Sequence, residues 1–369
     1  MAPPSRRRRI GGCAADLQVH GIGGSILASH GVRSPLSRPE LLALAAPANI
    51  RPRPRRYVGD TVVASIHDLA PADVPVVRRI YEFLRSLQRL VQRLDEPRAG
   101  VPLLQAELAR QDYRELCEQI RGLGAALVAE DMPMAVRKVY HDVRGGSLSG
   151  LLMHLDLCEA DEAEAEDVER VFFLVRDHLK IMRNALPDLD PAGYAVDLSP
   201  AEHDTSLLVE KWAGIAYGAT DSGRVHIEMA CDFRGSVSEC CMEFAALDRV
   251  MYNLINNASR FASDAVVRVE IFPLAESQET DLRFVVSNLV TPEHRARLLT
   301  DLGDDFSRIF ASRYTTDGHG IGLQICTDIV THGYGLDSPR EALREAYLGA
   351  RLIRDHFVAW FHWPARRPA

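Results

Sequence analysis

The sequence predicts an α+β chain, with a helical front part that contains a hairpin and a back part in which strands and helices alternate. Three observations predict it. Apolar residues recur at spacings of three and four before residue 187, the period of one buried helix face. Strand-like runs rich in β-branched and aromatic residues (VHIEMAC, VVRVEIF, LRFVVSN and HFVAWFHW) occur only after residue 200 and alternate there with helical ones. A stretch rich in Pro, Gly and Asp, residues 188–200, separates the two parts as a linker. At 369 residues the chain is longer than the roughly 250 at which a single core stops growing, so more than one domain is expected.

Residues 1–60 carry Arg6 to Arg9 and Arg51, Arg53, Arg55 and Arg56 among many Gly, Pro, Ser and Ala and almost no acids. Such a segment buries little apolar surface and is expected to be a disordered basic tail. Residues 61–124 read as a helical region that suits signal input. In it, Val77, Ile80, Phe83, Leu84, Leu87, Leu90 and Val91 line one face of a helix that Pro97 and Gly100 end, and a second helical stretch runs from Leu103 to Arg121.

Residues 125–187 read as a helical hairpin. Asp131 is the expected N-cap with Pro133 in the first turn, and one helix is expected from there to about Cys158. Val136, Val139, Val143, Gly146, Gly150, Met153 and Leu157 give it a seven-residue seam. His141 projects away from that seam. After an acidic turn, Val168, Val171, Phe172, Val175, Leu179 and Met182 form one face of a second helix that stops before Pro187. Two such helices alone expose too much apolar surface, so a homodimer that closes them into a four-helix bundle is expected.

Composition narrows the function classes. The chain is 47% hydrophobic and 25% charged, and no uncharged apolar run reaches the roughly 18–20 residues of a membrane span, so a cytoplasmic protein is expected. A net charge of -8 argues against a nucleic-acid partner. Seven scattered cysteines without CxxC spacing suggest neither a disulfide framework nor zinc, and point to a reducing compartment.

Three motifs carry chemistry. In Val139-Tyr140-His141-Asp142-Val143-Arg144 a helical imidazole is followed directly by a carboxylate, which can hold the ring in the tautomer whose Nε2 is nucleophilic and accept the Nδ1 proton. In the run from Leu247 to Phe261, LDRVMYNLINNASRF, Asn253 and Asn257 share one helix face, where an amide oxygen can meet a metal that bridges phosphates. In Thr315-Thr316-Asp317-Gly318-His319-Gly320-Ile321-Gly322-Leu323 the glycines admit backbone N–H groups close to phosphate ahead of a helix N-terminus.

The three motifs resemble, in order, the H-box, N-box and G2 box of two-component sensor histidine kinases, over roughly residues 125–365. The resemblance implies a HisKA-like phosphoacceptor hairpin followed, over residues 201–369, by a layered α/β-sandwich ATP-binding domain of the GHKL (Bergerat) type. It implies ATP and Mg²⁺ as cofactors, His141 as phosphoacceptor and Asp142 as its orienter and base. Asn253, Asn257, Arg260, Phe261, Asn288, Thr315, Thr316, Gly318, Gly320, Gly322 and Leu323 are the implied ATP-binding residues, with Asn257 on the metal. The implied partner is the receiver domain of a response regulator. An upstream aromatic of the family's F-box would be Phe306 or Phe310, for which core packing is the competing role.

The chain departs from the family pattern in two places. The Asp-x-Gly-x-Gly element is replaced by Val285-Val286-Ser287-Asn288-Leu289-Val290-Thr291-Pro292, in which Asn288 offers an amide oxygen to an adenine amino group and Pro292 stiffens the turn. Gly145 stands where many relatives have Thr or Asn, which implies weak phosphatase activity. Gly145, Gly146 and Gly150 each cost about 1 kcal/mol in a helix relative to Ala, so something needs their space, and the similar HxxKG element of phosphotransfer domains suggests a docking receiver. That element supports a second reading, a phosphotransfer or scaffold protein with a degenerate ATPase-like domain. A third, an ATP-driven machine or serine kinase, leaves the His–Asp pair without a use.

Overall fold

The helical part is layered around one long central helix. The computed structural model describes residues 36–46, 50, 64–94, 100–125, 132–220, 223–311 and 321–368. Helix α2 (Asp73–Val91) buries Val77, Ile80, Phe83, Leu84, Leu87 and Val91, as its periodicity predicts. The next stretch is two helices, α3 (Gly100–Arg110) and α4 (Tyr113–Gly122), not one, because Asp112 adopts a left-handed conformation with φ 50 between them. Asp tolerates that region better than most side chains.

The expected single helix from Pro133 to Cys158 is also two, α5 (Met134–Arg144) and α6 (Ser147–Glu159), broken where Gly146 takes φ 57. The break turns the seam. Val136, Val139 and Val143 are buried before it, whereas after it Leu148, Leu151, Leu155 and Cys158 face the core and Met153 and Leu157 are only half-buried. Pro133 occupies the cap position, and the expected cap Asp131 lies outside the described residues.

Helix α7 (Ala165–Ala185) returns beside α6 and is buried on more than the face its pattern marked, with Leu174, Asp177, His178, Lys180 and Ile181 enclosed as well as Val171, Val175, Leu179 and Met182. Its neighbours are α2, α3, α5 and α6 on one side and the long helix α10 (Cys241–Phe261) on the other. The apolar surface that was expected to require a second copy is therefore covered within one chain. The segment read as a linker is ordered. Asp190 caps α8 (Pro191–Asp197) by accepting from Gly193 N at 2.9 Å, and Arg183 on α7 donates to both oxygens of Asp197 at 2.5 and 3.0 Å.

The back part is the expected layered sandwich. Strands β1 (Pro200–Asp204), β2 (Ala216–Thr220), β3 (Gly223–Cys231), β4 (Ser236–Cys240), β5 (Val266–Pro273), β6 (Glu279–Leu289), β7 (Leu348–Ile353) and β8 (His356–Arg366) form one sheet. Its order is β1-β4-β8-β6-β5-β3-β2, with β7 also paired to β8. Among the described residues, only β3 and β5 pair in parallel. The four strand-like runs of the sequence fall on β3, β5, β6 and β8. The shorter strands β1, β2, β4 and β7 were not read. Helices α9 (Ser206–Trp212), α10 and α13 (Gly322–Gly333) pack on one sheet face, while α11 (Pro292–Leu302), α12 (Arg308–Ala311) and α14 (Pro339–Arg344) complete the chain. Because α10 lies between sheet and hairpin it is buried nearly all round, and the polar side chains it buries, Asp248, Arg249 and Asn253, each have a polar partner.

The other sheet face is covered from the start of the chain. Helix α1 (Arg38–Leu42) lies inside the segment expected to be a disordered tail, yet Leu36, Leu41, Leu44 and Ala45 pack on Phe272, Val285, Val358 and Trp360. Period-two alternation puts those four strand residues opposite the α10 face. Arg283, fully buried on the same face, donates to the carbonyls of Leu41, Leu42 and Ala45 at 2.7–2.8 Å. Apart from residues 36–46 and Ile50, the basic segment lies outside the described residues.

Candidate nucleotide-binding site

A cavity of about 400 Å³ opens between the helical part and the sandwich, in the range of small-molecule sites. Helix α10 supplies its spine. Asn253, Asn257 and Arg260 follow one another at steps of four and three and line the cavity with Phe261. Asn253 Nδ2 donates to Arg249 O at 2.9 Å, and its Oδ1 faces the first turn of α13. There, a Cβ on Gly322 would stand 2.7 Å from Asn253 Oδ1 and 3.1 Å from His141 Nε2. The glycine is what lets these two side chains approach a helix N-terminus, the natural seat of a phosphate. Leu323 also lines the cavity. Thr315, Thr316, Gly318 and Gly320 lie outside the described residues.

His141 enters the same cavity from α5, one turn before the helix breaks, with its side chain 20% exposed. Its Nδ1 is 3.3 Å from Asp142 Oδ1. The other oxygen, Oδ2, accepts from Arg249 Nη2 at 2.6 Å, an ion pair between two buried side chains. The break itself is held by the sandwich. Tyr217 Oη donates to Gly146 O at 3.2 Å, and Asn256 Nδ2 donates to the same oxygen at 3.4 Å. A Cβ on Gly150 would meet the Tyr217 ring at 2.6 Å. The space that Gly150 keeps open is thus taken by this chain's own Tyr217, not by a docking receiver, and Lys138 on α5 adds a 2.8 Å ion pair to Asp328 on α13.

The opposite end of the cavity is aromatic and amide-lined. Phe261 stacks on His294 at 4.4 Å between ring centres and 13° between planes. Asn288 is buried and lines the cavity, its Nδ2 donating to Leu289 O at 3.2 Å, which leaves Oδ1 as the acceptor an adenine amino group needs. Pro292 does not stiffen a loop there. It opens α11, capped by Thr291, and so brings in His294. Of the two upstream aromatics, Phe310 lines the cavity and Phe306 packs on Phe357 at 6.3 Å.

Behind the cavity lies a buried ionic cluster that joins α7, α9 and α10. Lys211 binds Asp177 at 2.5 Å and also Asp248, and Tyr252 donates to Asp177 at 2.9 Å. Burial raises the Asp177 pKa, but Lys211 and Arg176 more than offset it and hold that carboxyl below its usual range. Burial and the Asp177 charge push Asp248 the other way.

Sequence reasoning missed Arg249, Tyr217, Asn256 and His294. Arg249 and Asn256 stand inside the quoted N-box run without marking a role. Tyr217 and His294 come from elements whose approach to His141 and Phe261 no local pattern encodes.

A Mg²⁺ ion accompanying nucleotide phosphates is compatible with this lining. Asn257 is half-buried in the cavity and no hydrogen bond engages its amide among the described residues, so its oxygen is available as a neutral ligand.

A family model matches part of the sandwich. Residues 243–352 match the family described as histidine kinase-, DNA gyrase B-, and HSP90-like ATPase. No curated protein matches the chain. Among solved structures, full-length ShkA in complex with AMPPNP is similar at 18% identity and TM-score 0.29, over 64% of this chain and 45% of its own. The catalytic domain of histidine kinase ThkA is similar at 19% identity and TM-score 0.24, over 37% and 76% of the two chains. For histidine kinase AdeS of Acinetobacter baumannii the values are 12% and 0.24, over 62% and 98%. The chain therefore spans less than half of the ShkA chain. The family match thus runs from the first turn of α10 into β7 and takes in the cavity residues Asn253, Asn257, Arg260, Asn288 and Gly322.

Proposed function

We propose that the chain is an ATP-dependent protein histidine kinase that phosphorylates His141 and passes the phosphoryl group to an aspartate on a response-regulator receiver domain. One observation carries the reading: His141 Nε2 stands beside Asn253 and the N-terminus of α13, inside the cavity that the ATPase domain builds in the same chain.

The residues divide the work by position. Phe261, His294 and Asn288 offer a stacking face and an amide acceptor for adenine, while Arg260, Asn253 and the start of α13 attract phosphate. Asn257 would hold Mg²⁺, which neutralises phosphate charge when bound. Asp142 takes the His141 Nδ1 proton as Nε2 attacks. The catalytic histidine needs no second copy to meet a nucleotide. A homodimer, if formed, uses a surface other than the hairpin seam, which α2, α3 and α10 already cover. Among the described residues no helix is long and apolar enough to cross a membrane, and a cytoplasmic location suits a receiver partner.

Incubation with γ-labelled ATP and Mg²⁺ tests the reading. Wild-type protein is expected to take up acid-labile, alkali-stable label that His141→Ala and Asn257→Ala abolish. Acid-stable label, or none, overturns it.

A further inference from the structure

We infer that Arg249 is a positioning residue for phosphoryl transfer, holding Asp142 in the orientation that lets it take the proton of His141. The inference rests on the kinase reading and deepens it. Arg249 reaches from the nucleotide-binding helix α10 into the hairpin, and its guanidinium meets Asp142 Oδ2 at 2.6 Å with both side chains almost wholly buried, at 2% and 4% exposure. A carboxylate has two oxygens in one plane, and here each has a fixed neighbour: Oδ2 faces Arg249, and Oδ1 faces His141 Nδ1 at 3.3 Å. With Oδ2 anchored, rotation that would carry Oδ1 away from the imidazole breaks a charge-assisted bond between two buried groups.

The same turn of α10 serves the nucleotide side. Arg249 O accepts from Asn253 Nδ2, which leaves Asn253 Oδ1 directed at Gly322. One helical turn thus sets both the base and the wall of the phosphate end, and Asp142 is oriented only while the hairpin is docked on the ATPase domain.

The step balances without any further reactant. His141, with its proton on Nδ1, forms a bond from Nε2 to the γ-phosphorus. The bond from that phosphorus to the bridging oxygen breaks, and its electron pair leaves on ADP. The Nδ1 proton passes to Asp142 Oδ1, and Arg249 stays protonated throughout.

The test is a double-mutant cycle on the full chain with Arg249→Gln, Asp142→Asn and the pair, together with Arg249→Lys. Initial rates of acid-labile labelling at saturating ATP, the KM for ATP and melting temperature are measured. Arg249→Gln is expected to lower the rate on the order of tenfold or more with KM changed less than about twofold, Lys to recover part of it, and the pair to be no slower than Asp142→Asn alone. The pair also leaves neither buried charge without its partner, so it folds even where Arg249→Gln alone is unstable. Multiplying effects in the pair, a wild-type rate or a faster rate in Arg249→Gln, or a KM effect that accounts for the loss overturns the positioning role. Unlabelled wild-type protein overturns the kinase reading, and this inference with it.

Discussion

Around His141, single residues do work that their type alone does not announce. Gly150 looks like a helix defect until Tyr217 is seen filling the place of its Cβ. His178, fully buried on α7 with Nδ1 3.1 Å from Ser147 Oγ, is held neutral because burial outweighs the pull of Asp142 and draws its pKa down to about 4. In the unfolded chain the same ring titrates near 6.5. The unfolded state therefore binds the extra proton first as pH falls, so the stability that neutral His178 contributes is complete above pH 6.5 and is lost between 6.5 and about 4. Urea unfolding at pH 7 and pH 5 should show His178→Gln losing less stability than wild type over that interval, by roughly 2 kcal/mol. Parallel losses would mean that the ring is not buried neutral.

At the scale of elements, the segment 36–46 changes what the sandwich can be. A sheet with Phe272, Val285, Val358 and Trp360 on an uncovered face would present an apolar patch, and Arg283 beneath it would lack acceptors. Helix α1 and the residues beside it supply both the cover and three carbonyl oxygens. Burial draws the Arg283 pKa down to about 10, but the group stays charged at neutral pH and needs those oxygens. Deleting residues 1–46 is expected to lower the melting temperature by ~5 °C or more and to raise binding of an apolar dye, with Arg283→Met restoring part of the loss. A truncated chain that melts with wild type would show the cover to be dispensable. The segment reads as a tail because four apolar side chains on and around a five-residue helix make no periodic signal; their partners lie some 230 to 320 positions away in the sequence.

For the whole molecule, the arrangement of hairpin and ATPase domain within one chain has a kinetic consequence. Arg249 to Asp142, Tyr217 and Asn256 to Gly146, and Lys138 to Asp328 all join the two parts of a single copy. If labelling proceeds through these contacts, the reaction is first order in protein, and mixing His141→Ala with Asn257→Ala chains restores no label. Recovery of label in the mixture would show instead that the nucleotide of one copy serves the histidine of another.

The local features can be read without any coordinates. The periodicities of the sequence determined α2, the hairpin helices and the four long strands, and its spacings determined the stripe of Asn253, Asn257 and Arg260 and the glycine that opens α13. These are readable because a side chain's face on a helix or strand depends only on near neighbours in the chain. The breaks at Asp112 and Gly146, the ordered cover from α1, the burial of the hairpin seam within one copy, and the meeting of Arg249, Asp142 and His141 come instead from the folded chain. Each of those depends on which surfaces come together across long stretches of chain, and a seam that needs an apolar partner looks the same in sequence whether that partner is a second molecule or the chain's own α2 and α10.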